Sequence, residues 1–338
     1  MRILCTGGAG YVGSHCLRYF AARGHDLVAF DDLSEGNAAA VTTGPLVVGD
    51  VRDRAALIGA IREHRIDAVA HFAALISVPA SISDPRAYWS VNLEGTRALL
   101  DAMVETGVTR LVVSSTAAVY DHAAPMPLRE DSPLAPATPY GTSKLAMEHL
   151  VADYARAYGL SATALRYFNA AGAEPDGSHG EARRVESHVV PLLMLFALAR
   201  RPAFKVFGTA WPTQDGSCVR DFVALPDLAA AHLLALEAGA PGAMAVYNLG
   251  TGEGTSVLEL LTAAEAVIGR QLGWTADGPR PGDPAVLVAD ASRIAQELGW
   301  RPQASDIRTI LEAAWTWHAR FPDGYATENA QGALRRMS

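Results

Sequence analysis

Tyr140 and Lys144 stand four residues apart in the run Tyr140-Gly141-Thr142-Ser143-Lys144, in a chain of 338 residues whose 28 basic side chains include one other lysine, Lys205. Every remaining cation is arginine, so this lysine is not background surface charge. At spacing i, i+4 the two side chains share one face of a helix. A compact ammonium can touch a phenol and a ribose hydroxyl together, a task that does not suit the wide planar fork of arginine. Such a pair points to proton transfer, with the tyrosine as base and the lysine favouring its phenolate form.

The elements that must position this pair are legible upstream. Arg2 to Thr6 reads as a strand, Gly7-Gly8-Ala9-Gly10-Tyr11-Val12-Gly13 as a tight turn, and Tyr11 to Arg23 as a helix closed by Gly24. In a strand, glycine loop, helix unit the backbone can approach a pyrophosphate, which also meets the unpaired N–H groups of the helix start. Gly7, Gly10, Tyr11, Val12 and Gly13 are the residues so placed. A second strand, Asp26 to Phe30, ends at Asp31, 18 residues beyond Gly13. A carboxylate there accepts from an adenosine ribose diol and repels a 2′-phosphate, so NAD is expected rather than NADP.

Strand and helix patterns go on alternating: Pro45 to Gly49, Asp53 to His64, Asp67 to Ala74, Pro85 to Glu105, Arg110 to Ser115, Pro139 to Tyr158 and Ser161 to Phe168. This predicts an α/β fold, a Rossmann-type doubly wound parallel sheet with ligands at the carboxyl ends of its strands. Those ends carry Asp50 and Val51, Phe72, Ala73 and Ala74, Ser114 and Thr116, then Tyr167 and Asn169. Asp50-Val51 could meet the adenine, or Asp50 could cap the helix that follows. Asn92, within the third helix pattern, joins the expected cofactor set.

The glycine loop, Ser114-Ser115-Thr116, Tyr140 and Lys144 together resemble the extended short-chain dehydrogenase/reductase family over about 170 residues. The resemblance implies that Thr116 orients a substrate hydroxyl, Tyr140 moves the proton, and Lys144 holds the nicotinamide ribose. Tyrosine titrates near 10, so a base at pH 7 needs a shift of roughly 3 units, about 4 kcal/mol. Relatives that dehydrate nucleotide sugars carry an Asp-Glu pair after the threonine, whereas this chain has Ala117-Ala118. Elimination is thereby disfavoured, and simple hydride chemistry remains.

Beyond Ala170 the alternation gives way to loops rich in Gly and Pro, read as a smaller, mixed substrate domain over 171–325 after a cofactor domain over 1–170, with some segments returning to the first. The run from Phe207 to Phe222, with Tyr167-Phe168-Asn169, Tyr247 to Gly252 and Arg280-Pro281-Gly282-Asp283, resembles the UDP-glucose 4-epimerases within the wider superfamily. By that resemblance Arg220 and Arg280 clamp a UDP diphosphate, Phe207 lies beside the uracil, Asp283 holds the uridine ribose, and Asn169 and His188 face the diphosphate and sugar. Leu287 stands where side-chain bulk decides whether an N-acetylated sugar fits. A UDP-hexose, a UDP-pentose and a UDP-N-acetylhexosamine are all open as substrates. A nucleotide-sugar reductase that exchanges its cofactor, and a non-catalytic NAD-binding protein, are the rival classes.

Composition sets the remaining bounds. The longest apolar run, Val189 to Ala199, lies between His188 and Arg200 and is too short to span a bilayer. A strand beginning at Arg2 leaves no room for a leader, and a cytoplasmic protein is expected. Cys5, Cys16 and Cys218 match no metal spacing, and no metal is expected. A net charge of −8 argues against a nucleic-acid surface. The helices over 85–105 and 139–158 could pair across a two-fold axis in a homodimer, and the polar tail from 326 is expected to be a mobile end.

Overall fold

The computed structural model describes residues 1–280 and 282–325. Pro281 and the tail from 326 lie outside the described residues. The strands are β1 (Arg2–Thr6), β2 (Asp26–Asp31), β3 (Leu46–Val48), β4 (Ala68–His71), β5 (Arg110–Thr116), β6 (Ser161–Tyr167), β7 (Asn169–Ala171), β8 (Lys205–Phe207), β9 (Val219–Arg220), β10 (Phe222–Ala224), β11 (Ala243–Leu249), β12 (Thr255–Ser256), β13 (Thr275–Asp277) and β14 (Val286–Leu287). The helices are α1 (Tyr11–Ala21), α2 (Arg54–Glu63), α3 (Val78–Ser83), α4 (Pro85–Tyr88), α5 (Gly95–Thr106), α6 (Pro139–Tyr158), α7 (Val189–Ala197), α8 (Leu225–Ala238), α9 (Val257–Ile268), α10 (Ser292–Leu298) and α11 (Ile307–Arg320).

Seven strands form one parallel sheet in the order β3-β2-β1-β4-β5-β6-β11. Side chains on a strand alternate between faces, and the burial follows. Ile3 and Cys5 face α1 and α8, packing on Leu17, Phe20, Leu228 and Leu236. Leu4, with Val69 and Leu111, faces α2, α5 and α6 through Leu57, Leu99, Met103, Met147 and Val151. Each such large aliphatic side chain contributes about 1.5–3 kcal/mol on burial, so the two apolar layers fix the sheet whose upper edge carries the site. A third cluster joins α7, α9 and α11 through Leu193, Met194, Leu260 and Leu311. Among the described residues no helix is long and apolar enough to cross a membrane.

One feature departs from the sequence expectations. The helix expected over 85–105 is interrupted by a π-helical turn at Trp89–Glu94, a form that recurs at functional sites because it re-aims one side chain. Here the re-aimed residue is Asn92. Beyond residue 170, α8 packs on α1 and β11 pairs with β6 along its whole length, Ala243↔Ser161 to Leu249↔Tyr167.

Candidate active site

The cofactor end is built from backbone. Gly7 has φ +70, and a Cβ there would lie 2.5 Å from the Ala73 nitrogen; one on Gly13 would lie 2.2 Å from the Gly7 carbonyl oxygen. Any side chain at either position would fill the space where the loop folds on itself. Gly10 is the N-cap of α1 and supplies no side-chain cap, so the first-turn N–H groups at Tyr11, Val12 and Gly13 have no side chain of the cap to satisfy them and are open to an anion. Asp31 accepts from the Ala9 nitrogen at 2.9 Å and the Leu33 nitrogen at 2.8 Å. Burial raises its pKa, and those two amides pull it back. Each carboxylate oxygen keeps further acceptor capacity for a ribose diol. A dinucleotide with a free 2′-hydroxyl fits this cradle, and the backbone of Phe72 and Ala73, after β4, packs against Gly7.

Three expected cofactor contacts are otherwise engaged. Asp50 pairs with Arg52, whose Nε lies 2.9 Å from Oδ1, while Asp53 caps α2 by accepting from the Ala56 nitrogen; the alternative that Asp50 caps the helix is therefore corrected to Asp53. Asn92 spends its amide on the protein: Oδ1 accepts from the Leu75 nitrogen at 2.8 Å, and Nδ2 donates to the Leu75 carbonyl and to Ser143 Oγ, both at 3.0 Å. It ties the loop after β4 to α6. The Tyr167 hydroxyl is hydrogen-bonded to His232 Nε2. Because His232 Nδ1 donates to the Leu228 carbonyl, Nε2 is left as the acceptor. Val51 is buried against Gly95.

Tyr140 and Lys144 lie on the first turns of α6, a helix started by the Thr138 cap and Pro139 and closed by Gly159 in a left-handed conformation, as N-cap and C′ chemistry requires. Both are buried. Loss of solvent is the largest effect on Tyr140 and pushes its phenol up to about 12; the Thr116 hydroxyl favours the phenolate, Tyr88 opposes it and Arg183 favours it. Lys144 directs its ammonium to the Ser114 carbonyl at 2.8 Å and to Ser114 Oγ at 3.4 Å. Burial lowers it to about 8, with Glu148 pulling it upward. In the protein alone the phenol therefore lies above its usual value, and a cation brought by the cofactor is needed to draw it toward neutrality.

The candidate substrate end brings together side chains on short strands and on the loops beside them. Asn169, at the start of β7, has a buried Oδ1 with no partner among the described residues. Arg220, on β9, donates to the Val219 carbonyl at 2.8 Å and reaches within 3.9 Å of Asp283. The adjoining Asp221 is fully buried and accepts from Thr251, Gly252 and Ala289 nitrogens, so it locks the strand that presents Arg220. Arg280 lies over the Phe207 ring at 3.8 Å, a platform that is half cation and half aromatic. His188 caps α7, its Nδ1 2.7 Å from Glu181.

Sequence reasoning missed Glu181 and Arg183. Arg183 Nε donates to the buried Glu181 at 2.6 Å. Burial would raise the Glu181 carboxyl, but His188 and Arg183 hold it down at about 2. Nothing in the local pattern marks this pair, since the segment around it has no helix or strand period.

A model of the NAD dependent epimerase/dehydratase family matches residues 3–250. The chain belongs to that family. It is 42% identical to a UDP-glucose 4-epimerase of Lacticaseibacillus casei over 97% of this chain and all of that protein. Among solved structures, a UDP-glucose 4-epimerase of Bifidobacterium longum in complex with NAD+ and UDP superposes with a TM-score of 0.92 at 32% identity, covering 96% of this chain and all of that one. One from Stenotrophomonas maltophila, with bound NAD and formylated UDP-arabinopyranose, gives a TM-score of 0.89 at 38% identity over the whole of both chains. The cofactor of this family is NAD, in accord with Asp31 and the open start of α1.

Proposed function

We propose that this chain inverts C4 of a UDP-hexose, interconverting UDP-glucose and UDP-galactose through a 4-keto sugar. The observation that carries the reading is the meeting of Tyr140, Lys144 and Thr116 on α6 and β5, in a fold that also carries Asn169 on β7, Arg220 on β9 and Arg280 in the loop after β13. Bound NAD supplies a reversible hydride acceptor for C4. Thr116 keeps the O4 hydroxyl beside the phenol, and Tyr140 takes its proton and later returns it. Lys144 directs one N–H at the Ser114 carbonyl and keeps donors for a ribose. Arg220 and Arg280 hold the diphosphate by paired charge-assisted bonds, while the flat ketose turns about its link to that diphosphate and presents its other face. The absence of an acid at Ala117 or Ala118 supports inversion over elimination.

Incubating the purified protein with UDP-galactose, without added NAD, tests this by proton NMR. UDP-glucose is the expected product; unchanged sugar would sink the hexose reading. A second reading, a UDP-pentose, is favoured by the formylated UDP-arabinopyranose bound to the Stenotrophomonas relative. UDP-N-acetylhexosamine remains a further alternative at Leu287, which pairs in register with Arg220 and packs beside Tyr120 and Phe168. Side-by-side rates on the three sugar classes rank them.

The same reading includes a cofactor part to about residue 170 with a substrate part after it, a cytoplasmic location, and a two-fold dimer through α5 and α6. Exposed Trp89 and Tyr158 and the Tyr154–Asp101 hydrogen bond that joins these helices support the dimer. A light-scattering mass of one chain would refute it.

A further inference from the structure

We propose that Glu148, locked by Arg166, is a positioning residue for the proton transfer at Tyr140, fixing the strand end Ser114-Ser115-Thr116 against the helix that carries Tyr140 and Lys144. The inference rests on the C4 inversion proposed above. Glu148 follows Lys144 by one turn of α6, so the two share a helix face. Its side chain is 3% exposed and that of Arg166 4%. Removing two charges from water costs several kcal/mol per ion, and well-packed apolar residues commonly serve stability as well or better. What the pair touches gives it another use.

Glu148 Oε1 accepts from Ser115 Oγ at 2.5 Å and from Arg166 Nε at 3.0 Å, and Oε2 accepts from Arg166 Nη2 at 2.6 Å. Ser115 sits between Ser114, whose carbonyl takes the Lys144 ammonium, and Thr116, whose hydroxyl acts on the Tyr140 phenol. One carboxylate thus pins the strand midway between the two catalytic contacts. Arg166 Nη1 continues the network by donating to the Tyr120 hydroxyl at 2.8 Å, which donates to Asn248 Oδ1 at 2.7 Å. Asn248 Nδ2 then donates to the Leu128 carbonyl at 2.9 Å, and the Leu128 nitrogen donates to the Val288 carbonyl at 2.8 Å, next to Leu287. The brace therefore spans β5, α6, β6 and β11 and ends beside the substrate strands.

Charge gives the brace a second effect. The titratable groups around Lys144 are Tyr140 and Glu148 from its own helix, His71 from β4, and Arg166 and Tyr167 from β6. Burial lowers His71 to about 3 and raises both tyrosines, so these three are neutral near pH 7. Glu148 is the one anion in that set, and it pulls Lys144 upward against burial.

The holoenzyme with Ser115→Ala, Glu148→Asp and Glu148→Gln tests the brace by kcat, KM and their pH dependence. Ser115→Ala removes one bond and keeps the ion pair; kcat should fall about fivefold, with KM little changed. Glu148→Gln should lower kcat about tenfold and move the alkaline limb of its pH profile down by about 1 unit, because Lys144 then loses its proton earlier. Glu148→Asp should lower kcat yet leave that limb in place, since the charge survives and only the reach is lost. Glu148→Gln leaves Arg166 a buried cation without its anion, so the double variant Glu148→Gln/Arg166→Met is the companion that folds without that cost, and the same downward shift is expected. With two lysines in the chain, an NMR titration of isotope-labelled lysine Cε reads Lys144 directly against the exposed Lys205 and needs no substrate. It tests the brace even if the wild-type protein fails to invert a UDP-sugar. Unchanged kcat in Ser115→Ala, together with an unmoved Lys144 midpoint in both glutamine variants, would overturn the proposal.

Discussion

The two ends of the active site are made differently. At the cofactor end the ligand-facing groups are backbone N–H groups of α1 and a carboxylate, Asp31, already held by two amides. At the proposed substrate end they are side chains on strands of two or three residues and on the loops beside them, with Asn169 Oδ1 unpartnered among the described residues and Arg220 and Asp283 still 3.9 Å apart. A preformed backbone cradle loses little freedom when it binds and holds its ligand rigidly. A side-chain clamp grips one part of a ligand and leaves the rest to move. For a reaction in which a sugar must present both faces to a fixed acceptor, that asymmetry is what is needed.

The comparison breaks first at Tyr140. Tyr140→Phe removes the proton acceptor and touches neither end, so kcat should fall at least about 1000-fold while NAD still co-purifies, read from the ultraviolet spectrum of the purified protein. Loss of bound NAD in that variant would mean that the phenol belongs to the cradle. Gly13→Ala should act in the opposite sense. Its Cβ would lie 2.2 Å from the Gly7 carbonyl oxygen, and overpacking of that kind costs about 3 kcal/mol, so NAD retention and thermal stability should fall together. A variant that keeps its NAD would show the loop to be adaptable.

How much of this asymmetry was readable in the sequence follows from what is local. The glycine loop, Asp31 at its strand end and the start of α6 are each written within a few residues, because a tight turn, a helix cap and an i, i+4 pair are short-range physics. That the strands run parallel with helices between them follows from the same alternation. Long-range pairings are another matter. Glu148 and Arg166 read as two of many surface charges until the fold buries them, Tyr167 gives no sign that His232 will take its hydroxyl, and β11 joins the sheet beside a strand about 80 residues earlier. The π turn that re-aims Asn92 leaves a helical pattern intact on either side. Arg220 and Arg280 are reached through the resemblance alone, since a lone arginine carries no pattern, whereas Asn169 also stands just past the end of a predicted strand.

Arg220 sharpens the contrast at the other end. Arg220→Ala removes a charge-assisted contact worth about 2 kcal/mol, so KM for the UDP-sugar should rise roughly 30-fold while NAD retention and kcat hold near wild type. A parallel loss of NAD would mean that the two ends are coupled through Asp221, which locks both Arg220 and the loop at 250–252.

The smallest effect is the most diagnostic, because its two readouts should move in opposite directions. Asn169 Oδ1 is buried without a hydrogen-bond donor among the described residues, and an unsatisfied buried acceptor costs about 1–3 kcal/mol in the free protein. Asn169→Ala removes that cost along with the amide, so the variant should unfold at a temperature equal to or slightly above wild type. In the complex the same oxygen is expected to meet a hydroxyl of the sugar or a water held by the diphosphate, so KM should rise about fivefold, close to 1 kcal/mol. A side chain kept only for packing would lose stability and leave KM alone. Raised KM with undiminished stability would identify an acceptor held unpaired for the substrate, which is the difference between a clamp that waits for its ligand and a cradle already satisfied.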